Sequence, residues 1–191
     1  MHQPVDRSQA ATVLDRPGHL SSPLPEEAER IFVGLGANLG DRQATLQCAL
    51  QALAALPGTE LVRASALYRS APWQAGGPDF LNAVAELRSS LSPRALLAAL
   101  QGLEQTHGRE RPYPNAPRTL DLDLLLFGQR VSAAPELLLP HPRLHLRGFV
   151  LVPLCELAPG LVVPGVGPLA PWLQQALGQG VHRHGSFDAG P

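Results

Sequence analysis

Thr119-Leu120-Asp121-Leu122-Asp123-Leu124-Leu125-Leu126-Phe127-Gly128 is the stretch on which the reading of the fold turns. Side chains alternate across a β-strand, so Leu120, Leu122 and Leu124 enter one layer while Asp121 and Asp123 share the opposite face, roughly 7 Å apart. Gly128 marks the turn that ends the run. Such a strand packs its leucines inward and leaves its two carboxylates on a wet face.

The segments upstream supply the partners of that strand. IFVGLGAN from Ile31 is a short apolar run broken by Gly34 and Gly36, which suggests a central strand that a ligand or another backbone approaches closely. Asn38, Gly40 and Asp41 form a turn, and Asp41 caps a helix whose stripe is Leu46, Ala49, Leu50, Leu53 and Leu56, ended by Pro57-Gly58. From Glu60 to Arg69 the period is two: Val62, Ala64, Ala66 and Tyr68 lie on one face, Arg63, Ser65 and Arg69 on the other, as in a half-exposed strand. A loop with one large aromatic, Trp73, precedes FLNAVAELR, where Leu81, Ala83, Ala85 and Leu87 oppose Phe80, Asn82 and Val84. Ser92 as N-cap and Pro93 in the first turn open a helix with a Leu96, Leu100, Leu103 stripe, stopped by Gly108.

Downstream, a loop over roughly 129–146 contains PHPRLHLR. RGFVLVPLCELAP then reads as a short helix interrupted near Pro153, and PLAPWLQQALG as a last helix capped by Gly178. The order β, α, β, β, α, β predicts an α+β, ferredoxin-like split βαβ core, with a mixed or antiparallel sheet covered by helices. Residues 1–29, rich in Pro and polar residues without either period, read as a disordered leader, 30–179 as a single domain, and 180–191, with His182 and His184, as a flexible tail.

Composition removes several function classes. The chain has 191 residues, and all 15 of its Lys+Arg are Arg. P-loop, protein-kinase and Schiff-base chemistry all need a lysine, so none of them operates here. The formal net charge of -1 gives no general reason to expect nucleic acid or an anionic membrane. Cys48 and Cys155 lack metal-site spacing and read as buried thiols. No apolar run resembles a signal sequence or a membrane span, which leaves the cytoplasm as the expected compartment.

Two adjacent carboxylates repel each other unless a cation joins them, and Mg²⁺ accepts one or two carboxylates while leaving its other positions to water and phosphate. Arg109, Arg111, Arg118, Arg143, Arg147, His141 and His145 lie near the aspartates in sequence, and guanidinium forks suit phosphate oxygens. Glu104, one helical turn beyond Gln101, can face the same cleft. Trp73, Phe80 and Asn82 are what a flat, hydrogen-bonding heterocycle would select. Taken singly, each has a plainer reading: polar residues on a wet strand face, surface ion pairs, a solvated helix Glu, or aromatic core packing.

Motif by motif, the chain resembles the 6-hydroxymethyl-7,8-dihydropterin pyrophosphokinases of folate biosynthesis over about residues 31–165. The resemblance is carried by GLGANLGD at 34–41, YRSAP at 68–72, DFLNAV at 79–84, PRTLDLDLLLFG at 117–128 and LPHPRLHLRGFVLVPLCELAP at 139–159. It implies transfer of an intact pyrophosphoryl group from ATP, as co-substrate, to the pterin hydroxymethyl, releasing AMP, with two Mg²⁺ ions. By the same resemblance Asp121 and Asp123 are metal ligands, and Arg109 and Arg111 are mobile catalytic-loop arginines. Gln101, Arg118, His141 and Arg147 fall on the ATP side, and Glu104 lines the cleft. Ser70, Ala71, Trp73, Phe80, Asn82 and Phe149 fall in the pterin pocket. One loop departs from the pattern, since Asn115 and Ala116 stand where some relatives have Trp and Gly, leaving Tyr113 as a partial substitute.

A catalytically silent nucleotide- or pterin-binding module of the same fold is the alternative; it is distinguished by loss of the aspartates or loop arginines, all of which are present. An RNA-binding domain of this fold would need aromatics and basic residues where the central strand carries Asp121 and Asp123. The expected partners are the two small substrates, without nucleic acid or membrane, and the expected state is a monomer.

Overall fold

β1 (Glu29–Ala37) turns into α1 (Arg42–Ala54), and β2 (Thr59–Ala64), β3 (Leu67–Ser70), β4 (Phe80–Ser89), α2 (Pro93–Thr106) and β5 (Asp121–Phe127) follow. β6 (Ser132–Ala134), β7 (Leu137–Leu139), α3 (Gly148–Leu157), β8 (Val162–Val163), β9 (Gly167–Pro168), α4 (Ala170–Ala176) and β10 (His182–Gly185) complete the chain. This is a computed structural model, and it describes residues 28–73, 76–107 and 118–187. Apart from Ala28 and from Glu29, the first residue of β1, the expected leader lies outside the described residues.

The main sheet runs β10-β3-β4-β1-β5, with β2 also on β4, and all its pairings are antiparallel. β1 therefore lies between β4 and β5, the arrangement of a ferredoxin-like split βαβ fold. Local chemistry starts the helices as expected. Asp41 Oδ1 accepts from Ala44 N–H at 3.0 Å, and Ser92 Oγ accepts from Ala95 N–H at 3.2 Å with Pro93 in the first turn.

Two apolar layers sandwich the sheet. Ile31, Val33, Leu35, Leu81, Ala83, Ala85, Leu87, Leu122 and Leu124 join the stripes of α1 and α2 in one core. Phe32, Val84, Leu125 and Leu126 join α3 and α4 in the other. Each fully buried leucine among them contributes roughly 1.5–3 kcal/mol, so these layers dominate stability. Among the described residues, no helix is long and apolar enough to cross a membrane.

Several local expectations need correction. The strand expected over Glu60–Arg69 is two strands, parted at Ser65 and Ala66, and within β2 a register shift between Leu61 and Arg63 turns Val62 out to solvent and Leu61 in to the core. At the break, Ser65 Oγ accepts from Val84 N–H at 3.0 Å and replaces a lost backbone partner. α3 is not interrupted at Pro153 but continues through it. The left-handed residue that ends the last helical segment is Gly180 (φ 66°), beyond Gly178. The tail expected over 180–191 contains β10, with His182 and His184 on a paired edge strand. Cys155 is buried as expected, whereas Cys48 is exposed on α1.

Candidate active site

The α3 side of the sheet carries a cleft whose floor is set by strand register. Gly36 of β1 stands between Asn82 of β4 and Asp121 of β5, and Gly34 between Val84 and Asp123. A Cβ at Gly36 would lie 3.4 Å from Asn82 Oδ1, 3.7 Å from the Phe80 ring and 4.0 Å from Asp121 Cβ. Glycine here keeps open the space that joins the amide and aromatic on one side to the carboxylates on the other. At Gly34 the vacated volume is taken by Leu125, 3.5 Å from where a Cβ would be. Leu125 is the extra residue where β5 shifts register against Phe32 and Val33, so Leu125 and Leu126 both enter the α3-side core.

Asp121 and Asp123 share the cleft face, as the alternation predicts. Arg118 Nη1 lies 2.6 Å from Asp121 Oδ1, Arg147 Nη1 is 3.4 Å from Asp123 Oδ2, and His141 Nε2 is 4.0 Å from that same oxygen. Burial, and after it the charge of Asp121, pushes the Asp123 carboxyl up to about 6, against the pull of Arg147, Arg118 and Arg143. About a third of the Asp123 side chain, 34%, still touches solvent, which places it at the bottom of an open cleft rather than in the core.

His141 moves the other way, to about 4, through burial and the charges of Arg147 and Arg143, so it is neutral at pH 7. Its Nδ1 accepts from Arg143 N–H at 3.2 Å. The remaining proton is thereby placed on Nε2, the nitrogen turned toward Asp123. Arg147 is buried, with its guanidinium 5.2 Å from the Trp73 ring centroid and 5.5 Å from that of Phe149. Arg143 approaches the same Trp73 at 5.8 Å. Arg147 Nε is buried without a hydrogen-bond acceptor among the described residues, a costly state that an incoming anionic oxygen would relieve.

Across Gly36, Asn82 Nδ2 donates to Ser70 Oγ at 3.1 Å and Tyr68 O at 3.4 Å, which turns Oδ1 toward the open floor. Phe80 borders this space and Ala71 is exposed beside Ser70. Glu104 is almost wholly buried, and its Oε1 accepts from Leu122 N–H at 2.8 Å, fixing the peptide between the two aspartates. Gln101 stays exposed on α2, and among the described residues no hydrogen bond or ion pair joins it to the cleft. His145 packs edge-on against Trp172, ring centroids 4.5 Å apart. Arg109, Arg111, Tyr113, Asn115 and Ala116 lie outside the described residues.

Asn38, read from sequence only as a turn residue, proves to be a tie. It is buried, its Oδ1 accepts from Arg118 N–H at 2.8 Å, and its Nδ2 donates to Pro78 O at 3.3 Å. The loops bordering both halves of the cleft are thus joined through one amide. Only the motif GLGAN pointed to this residue, since a buried Asn leaves no periodic trace.

The donor set around the aspartates is one of hard oxygens. Among the described residues no group of three or more His, Cys, Asp and Glu forms a metal cage. Two carboxylates with room for water and phosphate suit Mg²⁺ better than an all-protein site, so the residues fit that ion.

Comparison with known proteins bears on the family and the fold. The family model for 7,8-dihydro-6-hydroxymethylpterin-pyrophosphokinase (HPPK) matches residues 32–159. A 2-amino-4-hydroxy-6-hydroxymethyldihydropteridine pyrophosphokinase of Pseudomonas aeruginosa is 44% identical over 156 residues, covering 81% of this chain and 96% of its own. The protein of the same name from Synechocystis is 44% identical over 143 residues, 75% of this chain and 73% of its own. The crystal structure of Plasmodium falciparum HPPK-DHPS wild type with SDX-DHP superposes with a TM-score of 0.62 at 13% identity, over 80% of this chain and 45% of that one. That likeness bears on the fold alone, and this chain spans less than half of that longer protein. With the family match running through β1, the Asp121–Asp123 strand and α3, the chain belongs to the 7,8-dihydro-6-hydroxymethylpterin-pyrophosphokinase family.

Proposed function

We propose that the cleft carries out the pyrophosphokinase reaction, moving an intact pyrophosphoryl group from ATP to the hydroxymethyl oxygen of 6-hydroxymethyl-7,8-dihydropterin and releasing AMP. The observation that carries the reading is the continuous floor from Asn82 across Gly36 to Asp121, which sets a heterocycle site beside a pair of carboxylates. Asn82 Oδ1 accepts from the pterin ring, Ser70 holds that amide in place, and Phe80, Phe149 and Trp73 offer flat surfaces, with Ala71 at the rim. Asp121 and Asp123 would hold the two Mg²⁺ ions, whose positive charge would lower the barrier to attack on the phosphoryl group.

On the ATP side, Arg147 donates its buried Nε–H to a phosphate oxygen, and the neutral His141 donates from Nε2 without adding charge of its own. Arg118 orients Asp121 and faces the same polyphosphate, Gln101 marks the ATP side and Glu104 keeps the metal-bearing strand in register. Arg109 and Arg111 stabilise charge that moves onto the AMP leaving group. The hydroxymethyl oxygen attacks the β-phosphorus in line, and positioning with charge stabilisation supplies the rate without a dedicated general base. A monomer in the cytoplasm, acting on these two small substrates without nucleic acid or membrane, completes the reading, supported by the balanced charge of -1.

The test follows AMP formation from Mg-ATP with and without the reduced hydroxymethylpterin. Pterin-dependent AMP, with diphosphate recovered on the pterin, is expected. ADP as product, or AMP independent of pterin, would overturn the reading and favour a silent binding module.

A further inference from the structure

Arg147 occupies the N-cap position of α3, and its side chain is turned into the cleft instead of capping the helix. Helices begin with unsatisfied N–H groups, usually met by a Ser, Thr, Asp or Asn at the cap. Here the cap comes from elsewhere in the chain. Gln179 Oε1 accepts from Gly148 N–H at 2.7 Å while Gln179 Nε2 donates to Leu146 O at 2.9 Å. One amide therefore grips the peptide groups on both sides of Arg147.

The surroundings of that grip are tight. A Cβ at Gly148 would lie 3.1 Å from Gln179 Oε1, 3.2 Å from Val181 Cγ2 and 3.3 Å from Ala176 O, so only glycine lets the C-terminal segment come this close. Upstream on the same turn, Trp172 of α4 holds the His145 ring at 4.5 Å. Downstream, β10 pairs with β3, where Arg183 stands opposite Tyr68 and His182 opposite Arg69, next to Ser70. Residues 172–185 thus form a strap from the turn bearing Arg147 to the strand bearing Ser70. All of it lies beyond residue 159, where the family match ends.

We infer that Gln179 is a positioning residue for the reaction: its side-chain amide sets the backbone of Arg147, so that the guanidinium meets both Asp123 and the phosphate chain. This rests on the role proposed above for Arg147. Loss of the clamp frees the Leu146–Gly148 peptides to rotate, and a displacement near 1 Å at a charge-stabilising group slows chemistry by about tenfold or more. Substrate contacts at Asn82 and Phe80 are untouched.

The experiment is a double-mutant cycle on the full chain with Gln179→Ala, Arg147→Ala and the pair, read by single-turnover AMP formation and by calorimetric affinity for Mg²⁺ with α,β-methylene-ATP. Gln179→Ala is expected to slow single turnover about tenfold, leave the pterin KM unchanged and shift the melting temperature by no more than a few degrees. In the Arg147→Ala background the same change should cost less than about twofold, since a residue that acts through Arg147 has nothing left to position. Gln179→Glu, which keeps an acceptor for Gly148 N–H, should recover part of the rate. Equal slowing in both backgrounds, or none in the parent, would overturn the inference. A chain without pterin-dependent turnover would instead fail the proposed function, and the affinity cycle would still decide the clamp.

Discussion

Glu86 and Asp123 are acidic side chains on the same side of the sheet, each flanked by arginines, and they are satisfied to opposite degrees. Glu86 on β4 receives Arg30 Nε at 2.6 Å and Arg63 Nε at 2.8 Å, one on each oxygen. Arg63 carries the tie onward to Leu157 O at the end of α3, at 2.8 Å. Burial works to raise the Glu86 carboxyl, but the two arginine bonds outweigh it and the net shift is downward. Asp123 on β5 has Arg147 at 3.4 Å, a neutral His141 and a like charge two residues away, and its net shift is upward. Glu86 has its cations built in, whereas Asp123 is left short of them, as the proposed reading requires of a carboxylate that takes up Mg²⁺ with a ligand. On the proposed reading, the carboxylate held short of satisfaction belongs to the reaction and the saturated one to the scaffold.

The strongest way to break this contrast is to delete each acid. Asp123→Ala should cut pyrophosphoryl transfer by about a thousandfold or more without lowering the melting temperature, because the side chain fills no core. Full-rate turnover in that variant would remove the metal assignment.

Glu86→Gln should do the reverse, leaving turnover per folded molecule intact and lowering unfolding free energy by about 2 kcal/mol at pH 7, measured by urea titration. Because the Glu86 carboxyl is depressed in the folded state, its contribution is present above the ordinary value of 4.5 and is lost as pH falls through the lower folded value. The gap between parent and variant should therefore close in acid. A gap that persists at low pH would mean that Glu86 acts through packing alone.

A smaller effect sharpens the same point. In the absence of divalent metal, Asp123→Asn removes one of two adjacent like charges and should raise the melting temperature by about 2–4 °C, the equivalent of roughly 1 kcal/mol in a domain of this size. Differential scanning fluorimetry with EDTA reads it directly, and a lowered value would show that Arg147 already satisfies Asp123.

Signals that act within a few residues were legible in the amino-acid sequence. The Asp121–Asp123 face followed from strand alternation, both N-caps from Asp41 and Ser92, and the order of helices and strands through β5, apart from the division of Glu60–Arg69 into two strands, from the succession of periods. What escaped depends on partners distant in the chain. The bulge at Val62 is set by the register against β4, and that at Leu125 by the empty space over Gly34. α3 runs through Pro153 because its apolar residues are held against the sheet, and β10 becomes a strand because β3 offers an unpaired edge. Gln179 and Asn38 act through amides that reach 31 and 80 residues along the chain, to Gly148 and Arg118, which no local pattern records.

The contrast between the two acids is tested most directly by the thermal shift that Mg²⁺ adds to α,β-methylene-ATP in the parent, Asp123→Asn and Glu86→Gln proteins. Mg²⁺ should raise the melting temperature of the parent and of Glu86→Gln by several degrees beyond the nucleotide alone, and should add almost nothing to Asp123→Asn. An undiminished Mg²⁺ shift in Asp123→Asn would show that the cation is held elsewhere and that Asp123 is one more structural carboxylate.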